Sequence, residues 1–337
     1  MSPVKKDSVR IEVGHSVGRR GFLKTVGGAA AAATGLSVWP ELTSAASLSK
    51  DKVAEDYVKL LYENLKAAQR EKICFPFEHK LGKVVKNNWH IVPQTIGEFL
   101  NSDQQELVQQ ILKGITSEDG YERFQKSMKD DDGGLGNYSC AIFGKPKEKI
   151  QFVLTGRHVT LRSDGDAVQN TAFGGPLFYG HAVTGNEKPD HPGNVWWHQG
   201  LLANKLFESL DGKQREKALL KGSPADNAKT VVVRGDAEIP GLRGEDLSKD
   251  QGQLLKETMQ SLLSMFRKSD VDEAVKCLER NGGFKKAAIS FYKEGDIGSD
   301  KVWDRWKVEG PAFVWYFRGS PHVHTWVNIK HEAPREA

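Results

Sequence analysis

The stretch Gly310–Ile329, GPAFVWYFRGSPHVHTWVNI, decides how the chain is read. Phe313 to Phe317 is a run of aromatic and β-branched residues, the composition of a buried strand. Arg318-Gly319-Ser320-Pro321 supplies turn chemistry. From His322 to Ile329 the residues alternate. Val323, Thr325, Val327 and Ile329 share one face of a second strand, and His322, His324, Trp326 and Asn328 share the other. The pattern predicts a closing C-terminal β-hairpin with two imidazoles on one face, roughly 7 Å apart along the strand. Two neutral imidazoles at i and i+2 on a stiff backbone suit one metal ion. The same pattern also fits ordinary half-buried strand histidines.

Upstream of the hairpin, Tyr138–Gly144, Lys149–Thr155, Arg157–Arg162 and Asp166–Ala172 read as strands, punctuated by Lys145-Pro146, Gly156 and Ser163-Asp164-Gly165. Thr230–Arg234 reads as a further short strand, and Trp89–Val92 as another. Asp51–Lys72 has the apolar spacing of an amphipathic helix, and Val271–Leu278 also reads as helical. Lys285–Tyr292 fits either a helix or a strand. Three segments share a recurrent start: Leu100-Asn101 with Gln104, Leu210-Asp211 with Gln214, and Leu247-Ser248 with Gln251. Each is a capping box preceded by a leucine placed for a hydrophobic staple. Their unequal spacing argues for three capped helices in one fold, not a solenoid. The expectation is an α+β protein: a mostly antiparallel sheet flanked by several capped helices, forming one domain over residues 47–335.

Residues 1–46 read as a twin-arginine signal peptide. Gly18-Arg19-Arg20-Gly21-Phe22-Leu23-Lys24 is followed by a weakly apolar Gly/Ala-rich run to about Trp39, and Ser44-Ala45-Ala46 suits signal-peptidase cleavage near Ala46. The expected partner is the twin-arginine translocation machinery, and the expected location is periplasmic or secreted. The leader run is too short and too rich in glycine and alanine for a stable membrane anchor, and no later run of 18 apolar residues follows. This route carries folded proteins, which suits a chain that loads a cofactor before export.

Composition narrows the function classes. The leader holds six Lys/Arg and three Asp/Glu, so the remainder of a chain with 48 and 44 is nearly neutral. No basic stripe interleaved with aromatics appears, so nucleic-acid binding has no support. Cys74, Cys140 and Cys277 are far apart and lack CxxC spacing, which argues against a thiolate zinc site or c-type haem. Neither a phosphate-cradling P-loop nor a dinucleotide fingerprint is present, so no nucleotide cofactor is expected. The G-x-S-x-G and HExxH patterns are absent too. The glycine-rich Gly133-Gly134-Leu135-Gly136 reads as a turn and not a phosphate cradle; the acidic run before it, Lys129-Asp130-Asp131-Asp132, could bind calcium but lacks EF-hand spacing.

The nine histidines beyond the leader carry the remaining signal. His158 lies in the strand-like Gly156–Leu161. His181, His191 and His198 fall in Phe173–Gly200, a glycine-, proline- and aromatic-rich segment that reads as a long ordered loop entering a helix near Trp196. The favoured site joins His322 and His324 with His158 and with His198 or His191. Three imidazoles with an open position suit a transition metal, Zn, Cu or Fe. Arg157 and Arg318 are candidates for binding an anionic small molecule, with Trp326 beside them. The leading reading is a metal-dependent enzyme, hydrolytic or redox, with no catalytic residue assigned. The alternative is a non-catalytic periplasmic protein that binds a small ligand or a metal.

Four features in order give the chain a family resemblance. They are the capped helix led by Leu100–Gln104; Phe143-Gly144-Lys145-Pro146 with the later Gly156–Leu161; Gly175-Pro176-Leu177-Phe178-Tyr179-Gly180 with the helix of Leu210–Gln214; and His322-Val323-His324. With these the chain resembles the domain of unknown function 3500 family over nearly its whole length after the leader. The family's strand motif carries two adjacent histidines, and here Arg157 stands in place of the first. The resemblance implies no activity. It singles out His158, His322 and His324.

Overall fold

Alternation at the C-terminus produces the expected hairpin. In the computed structural model, which describes residues 53–182, 193–235, 237–294 and 301–334, Phe313–Arg318 pairs antiparallel with Val323–Ile329, Phe313 opposite Ile329 and Arg318 opposite His324. The leader with Arg19 and Arg20, and also His191, lie outside the described residues.

In chain order the elements are α1 (Ala54–Asn64), α2 (Ala67–Ile73), β1 (Cys74–Phe75), α3 (Ile96–Phe99), α4 (Ser102–Ile115), α5 (Glu118–Asp132), β2 (Ser139–Gly144), β3 (Ile150–Gly156), β4 (Val159–Ser163) and β5 (Leu177–His181). There follow α6 (Trp197–Glu208), α7 (Gly212–Ala218), β6 (Leu219–Leu220), β7 (Leu242–Arg243), α8 (Lys249–Leu263), α9 (Lys268–Arg280), α10 (Gly283–Lys286), β8 (Ala288–Tyr292), β9 (Arg305–Gly310), β10 (Phe313–Arg318) and β11 (Val323–Ile329). All 11 strands form one mostly antiparallel sheet, so the fold is α+β.

The strand order, β1-β2-β3-β4-β5-β11-β10-β9-β8-β6, is palindromic in connectivity. In each half a helix pair (α1–α2, α6–α7) leads into a two-residue strand that pairs parallel with the first long strand, β1 with β2 and β6 with β8. A second helix pair (α4–α5, α8–α9) and a four-strand meander then follow. The halves meet where β5 pairs with β11. The helix turns meet there too: Ser117 N–H donates to Met265 O (2.9 Å) and Arg267 N–H to Ile115 O (3.1 Å).

The capping boxes at Asn101, Asp211 and Ser248 are all formed. Each glutamine then bonds across to its neighbour's: Gln69 to Gln104 and Gln214 to Gln251, both at 2.9 Å. The three capped helices lie in one fold as expected, and their recurrence also marks an internal two-fold repeat. The fourth member, α2, lacks the sequence signature because its cap position is Lys66, without a capping oxygen; Gln69 reaches back to the Lys66 N–H.

The sheet has two unlike faces. On β10, Phe313, Trp315 and Phe317 join the main core with the helices, while Val314 and Tyr316 join a smaller cluster with Val85, Phe178, Val231 and Trp326. Burying large aromatics on both faces is the main stabilising contribution here, about 25 cal/mol per Å² of apolar surface. Trp196 and Trp197 are core residues, 0% and 2% exposed.

Several boundaries differ from expectation. The first helix breaks at Leu65–Lys66 into two. Asp166–Ala172 is a run of turns, and the strand lies later, at β5, inside the segment read as a loop. Thr230–Arg234 is not a strand; a 3-10 turn spans Ala228–Val231. Trp89–Val92 forms no strand either, although the neighbouring Asn88 makes an isolated bridge with Arg157. The three cysteines are free thiols. Among the described residues no helix is long and apolar enough to cross a membrane.

Candidate metal centre

Three backbone segments converge at one end of the β5–β11 junction. The β3–β4 connection has two residues, Arg157 and His158, because Gly156 pairs directly with Val159. His158 is therefore a turn residue and not a strand residue, with φ of 57°. A left-handed conformation is costly for a residue with a Cβ and persists where the surroundings enforce it. Here the His158 N–H donates to Asn87 O (3.0 Å) and Asn88 Oδ1 (3.1 Å), and the His158 carbonyl accepts from Gly180 N–H (3.0 Å). Gly180 also stands opposite His324 in the ladder. A Cβ on Gly180 would lie 2.3 Å from Val323 O and 3.2 Å from His324 Cδ2. Its bare backbone lets β4, β5 and β11 close on one another.

His158, His322 and His324 meet there, with ring centroids 4.7–5.0 Å apart pairwise. Their ligand atoms all lie within 4.8 Å of one another. His322 Nε2 and His324 Nε2 are 2.9 Å apart. Two imidazole nitrogens on one zinc, at bonds of about 2.0–2.1 Å, lie about 2.9–3.4 Å apart for right-angle to tetrahedral geometry. Carboxylates back two of the rings: His158 Nδ1 bonds Asp131 Oδ2 (2.8 Å) and His324 Nδ1 bonds Asp226 Oδ2 (2.7 Å). An ionised carboxylate accepts only, so each Nδ1 carries the proton and each Nε2 turns a lone pair to the centre. His158 Nε2 is buried and has no hydrogen-bond partner. Converging buried lone pairs of this kind are stabilised by a cation placed between them.

Two carboxylates that no sequence pattern ties to the histidines complete the site. Asp131, at the end of α5, also accepts from Ala182 N–H (2.9 Å). Asp226 also accepts from Trp326 Nε1 and from Arg318 Nη1, each at 2.7 Å. Burial pushes the Asp226 carboxyl up, but the His324 hydrogen bond and charge, then Arg318 and Trp326, outweigh it and hold it at about 2. Burial, reinforced by the charges of His324, Arg318 and His158, pushes His322 down to about 3. His324 is pushed to about 4, burial outweighing its bond to Asp226. At neutral pH both imidazoles are uncharged and able to ligate, and Asp226 is ionised, with Arg318 as the cation beside it. His158 and His324 are 2% and 3% exposed, whereas His322 is half-buried, so the centre opens to solvent on its side.

The other candidates fare differently. His198, on the first turn of α6, neighbours Val195, Asp119 and Arg123. Asp119 lies at the opposite end of α5 from Asp131, about 18 Å along the helix, so His198 does not join the cluster. Arg157 is exposed, and its carbonyl accepts from Tyr138 Oη (2.8 Å). Arg318 and Trp326 both bond Asp226 and so support His324, and Trp326 also lines a groove on that face of the sheet. His181 is fully buried, with Nε2 3.7 Å from Asp130 and 3.9 Å from Asp131. A second trio, Glu273, Cys277 and His331, also lies close. There, however, the imidazole Nε2 is already bonded to Glu273 (2.7 Å), and burial pushes the Cys277 thiol up to about 11.

The centre draws on both halves of the repeat, His158 and Asp131 from the first and His322, His324 and Asp226 from the second, and the second half has no equivalent of His158 or Asp131. Lys330 N–H to Ala312 O (2.7 Å) corresponds to Gly180 N–H to His158 O, and Asn281 lies as far from the α9 N-cap Arg267 as Asp131 does from the α5 N-cap Ser117. Ala312 and Asn281 thus stand where His158 and Asp131 stand, and neither can ligate or back a metal in the same way.

No curated protein and no solved structure matches the chain. A sequence model of the family described as protein of unknown function (DUF3500) matches residues 49–331, which include all three histidines and both carboxylates, and the chain belongs to that family.

Proposed function

We propose that this protein is an exported metal-dependent enzyme whose transition metal is held by His158, His322 and His324. The observation that carries the reading is the convergence of three imidazoles, two of them backed at Nδ1 by buried or half-buried carboxylates. Such backing fixes the tautomer and raises ligand basicity. Three protein ligands leave a position for water or substrate, the arrangement of catalytic zinc sites, whereas structural sites are closed by four. Zn, Cu and Fe all accept imidazole. The metal would supply Lewis acidity or electron transfer, hence hydrolytic or redox chemistry. Arg318, Trp326 and Asp226 orient His324, and Asp131 orients His158.

One observation favours a second reading, a non-catalytic metal carrier. Asp131 and Asp226 are both committed to imidazoles, so neither is free as a general base. Cobalt(II) titration of the metal-free protein separates the two. The enzyme reading expects one equivalent, with visible absorption that shifts on adding azide. Saturation without an azide response favours the carrier, and no uptake removes both. Export through the twin-arginine machinery is part of the proposal. It expects a mature N-terminus near Ser47 and loss of export on replacing Arg19 and Arg20 by Lys.

A further inference from the structure

A groove of about 860 Å³ lies on the sheet face that carries His324, between residues 83–87, residues 227–233 and the β11 side chains Trp326 and Asn328. Its floor is apolar, with Val85, Val231 and Trp326 buried and Val232 left 60% exposed. Val232 is one of three large apolar side chains so exposed among the described residues. Four lysines, Lys83, Lys86, Lys229 and Lys330, line it, and among the described residues no aspartate or glutamate does. Lys83 makes one loose contact, 3.7 Å to the exposed Glu78, and Lys86 lies 5.5 Å above the Trp89 ring. Lys330 is half-buried, and that burial, with the nearby charge of Lys83 as the smaller cause, pushes its ammonium below the ordinary value. A row of cations over an exposed valine floor is unfavourable as it stands. It is complementary to a molecule with an apolar body and a negative head.

The groove abuts the histidine centre. Asn87, on its wall, accepts the His158 N–H; Asn227 follows Asp226 in the chain; and Trp326 donates to Asp226. From Trp326 to Lys330 along β11 is about 13 Å.

We propose that this groove binds an elongated apolar carboxylate, its head held between Lys83 and Lys330 and its body over Val231, Val232 and Trp326, with the far end towards the histidines. That such a molecule is the substrate rests on the metal reading; that it binds does not.

The probe is dodecanoate, titrated calorimetrically into the metal-free protein, with dodecyltrimethylammonium as the charge control. Dodecanoate is expected to bind one equivalent and the cation not to bind. Lys330→Glu is expected to weaken dodecanoate at least tenfold with metal uptake unchanged, and Val232→Asp to weaken it similarly. His322→Ala is expected to lose metal but keep dodecanoate. Metal retained in His322→Ala would sink the metal reading while leaving the groove intact. The groove proposal is overturned if dodecanoate fails to bind, if the cation binds as well, or if folded Lys330→Glu binds dodecanoate like the wild type. A concentration-dependent dimer, abolished by Val232→Asp and accompanied by no dodecanoate binding, would also overturn it and assign the face to a second copy of the chain.

Discussion

Replacing Asp226 by Asn tests how the site is built. The carboxylate accepts from three donors, His324 Nδ1, Trp326 Nε1 and Arg318 Nη1, each at 2.7 Å. Asparagine keeps the shape but offers one oxygen, so at least one donor faces an N–H₂ group. It also leaves Arg318, 12% exposed, without its counter-charge. Hydrogen bonds to charged groups contribute about 1.5–3 kcal/mol each, and a buried donor left unpaired costs comparably. The fold should therefore lose on the order of 3 kcal/mol. The second effect is on the metal. With the carboxamide oxygen at the Oδ2 position, His324 Nδ1 keeps an acceptor, but a neutral one that no longer raises the ring's basicity as a carboxylate does, and affinity should fall about 10-fold. Thermal unfolding reads the first quantity. Competition with a chelator, well below the unfolding temperature, reads the second. Asp130→Asn is the control: its bond to Lys126 (2.8 Å) is a surface pair contributing about 0–1 kcal/mol. Metal affinity within twofold of wild type in folded Asp226→Asn would refute the reasoning.

Three further outcomes are expected. Gly180→Ala places a Cβ 2.3 Å from Val323 O, so it should cost about 1–3 kcal/mol and weaken metal binding, whereas Gly212→Ala, with nothing within 4 Å, should be neutral or slightly stabilising on unfolding curves. For the metal-free protein, folded-state values of about 3 and 4 for His322 and His324 lie below the unfolded value near 6.5. The unfolded chain therefore binds protons first, and stability is full above about pH 6.5 and falls as pH drops towards 4. A melting temperature in His324→Gln with the same pH slope as wild type would contradict this. Ser248→Ala removes the α8 cap, whose Oγ accepts from Gln251 N–H (3.3 Å), and should cost about 1 kcal/mol by denaturant titration.

What the sequence made legible follows from which features are local. The period-two alternation at His322–Ile329 is local, and it placed His324 and Trp326 opposite Val323 and Val327 correctly. The capping boxes are local in the same way. β5 was hidden because Gly175-Pro176 and Gly180 look like loop residues, yet Gly180 is a glycine so that the strands can close on it. His158 and the β11 histidines are joined only through the β4–β5–β11 adjacency, which no short-range pattern encodes. Asp131 was visible only as part of an acidic run, and Asp226, in an irregular segment, carried no periodic signal. His198 was misplaced because the helix begins at Trp197 and turns it towards Arg123. The repeat is faint in sequence because Lys66, Ala312 and Asn281 differ in type from their counterparts.

The most direct test of the central claim is metal content by mass spectrometry, on protein purified from the periplasm without a histidine tag, for the wild type and for His158→Ala, His322→Ala and His324→Ala. A shared three-histidine centre predicts close to one equivalent of a transition metal in the wild type and its loss in each folded variant. A metal-free wild type, or metal retained when any one of the three is removed, would contradict it.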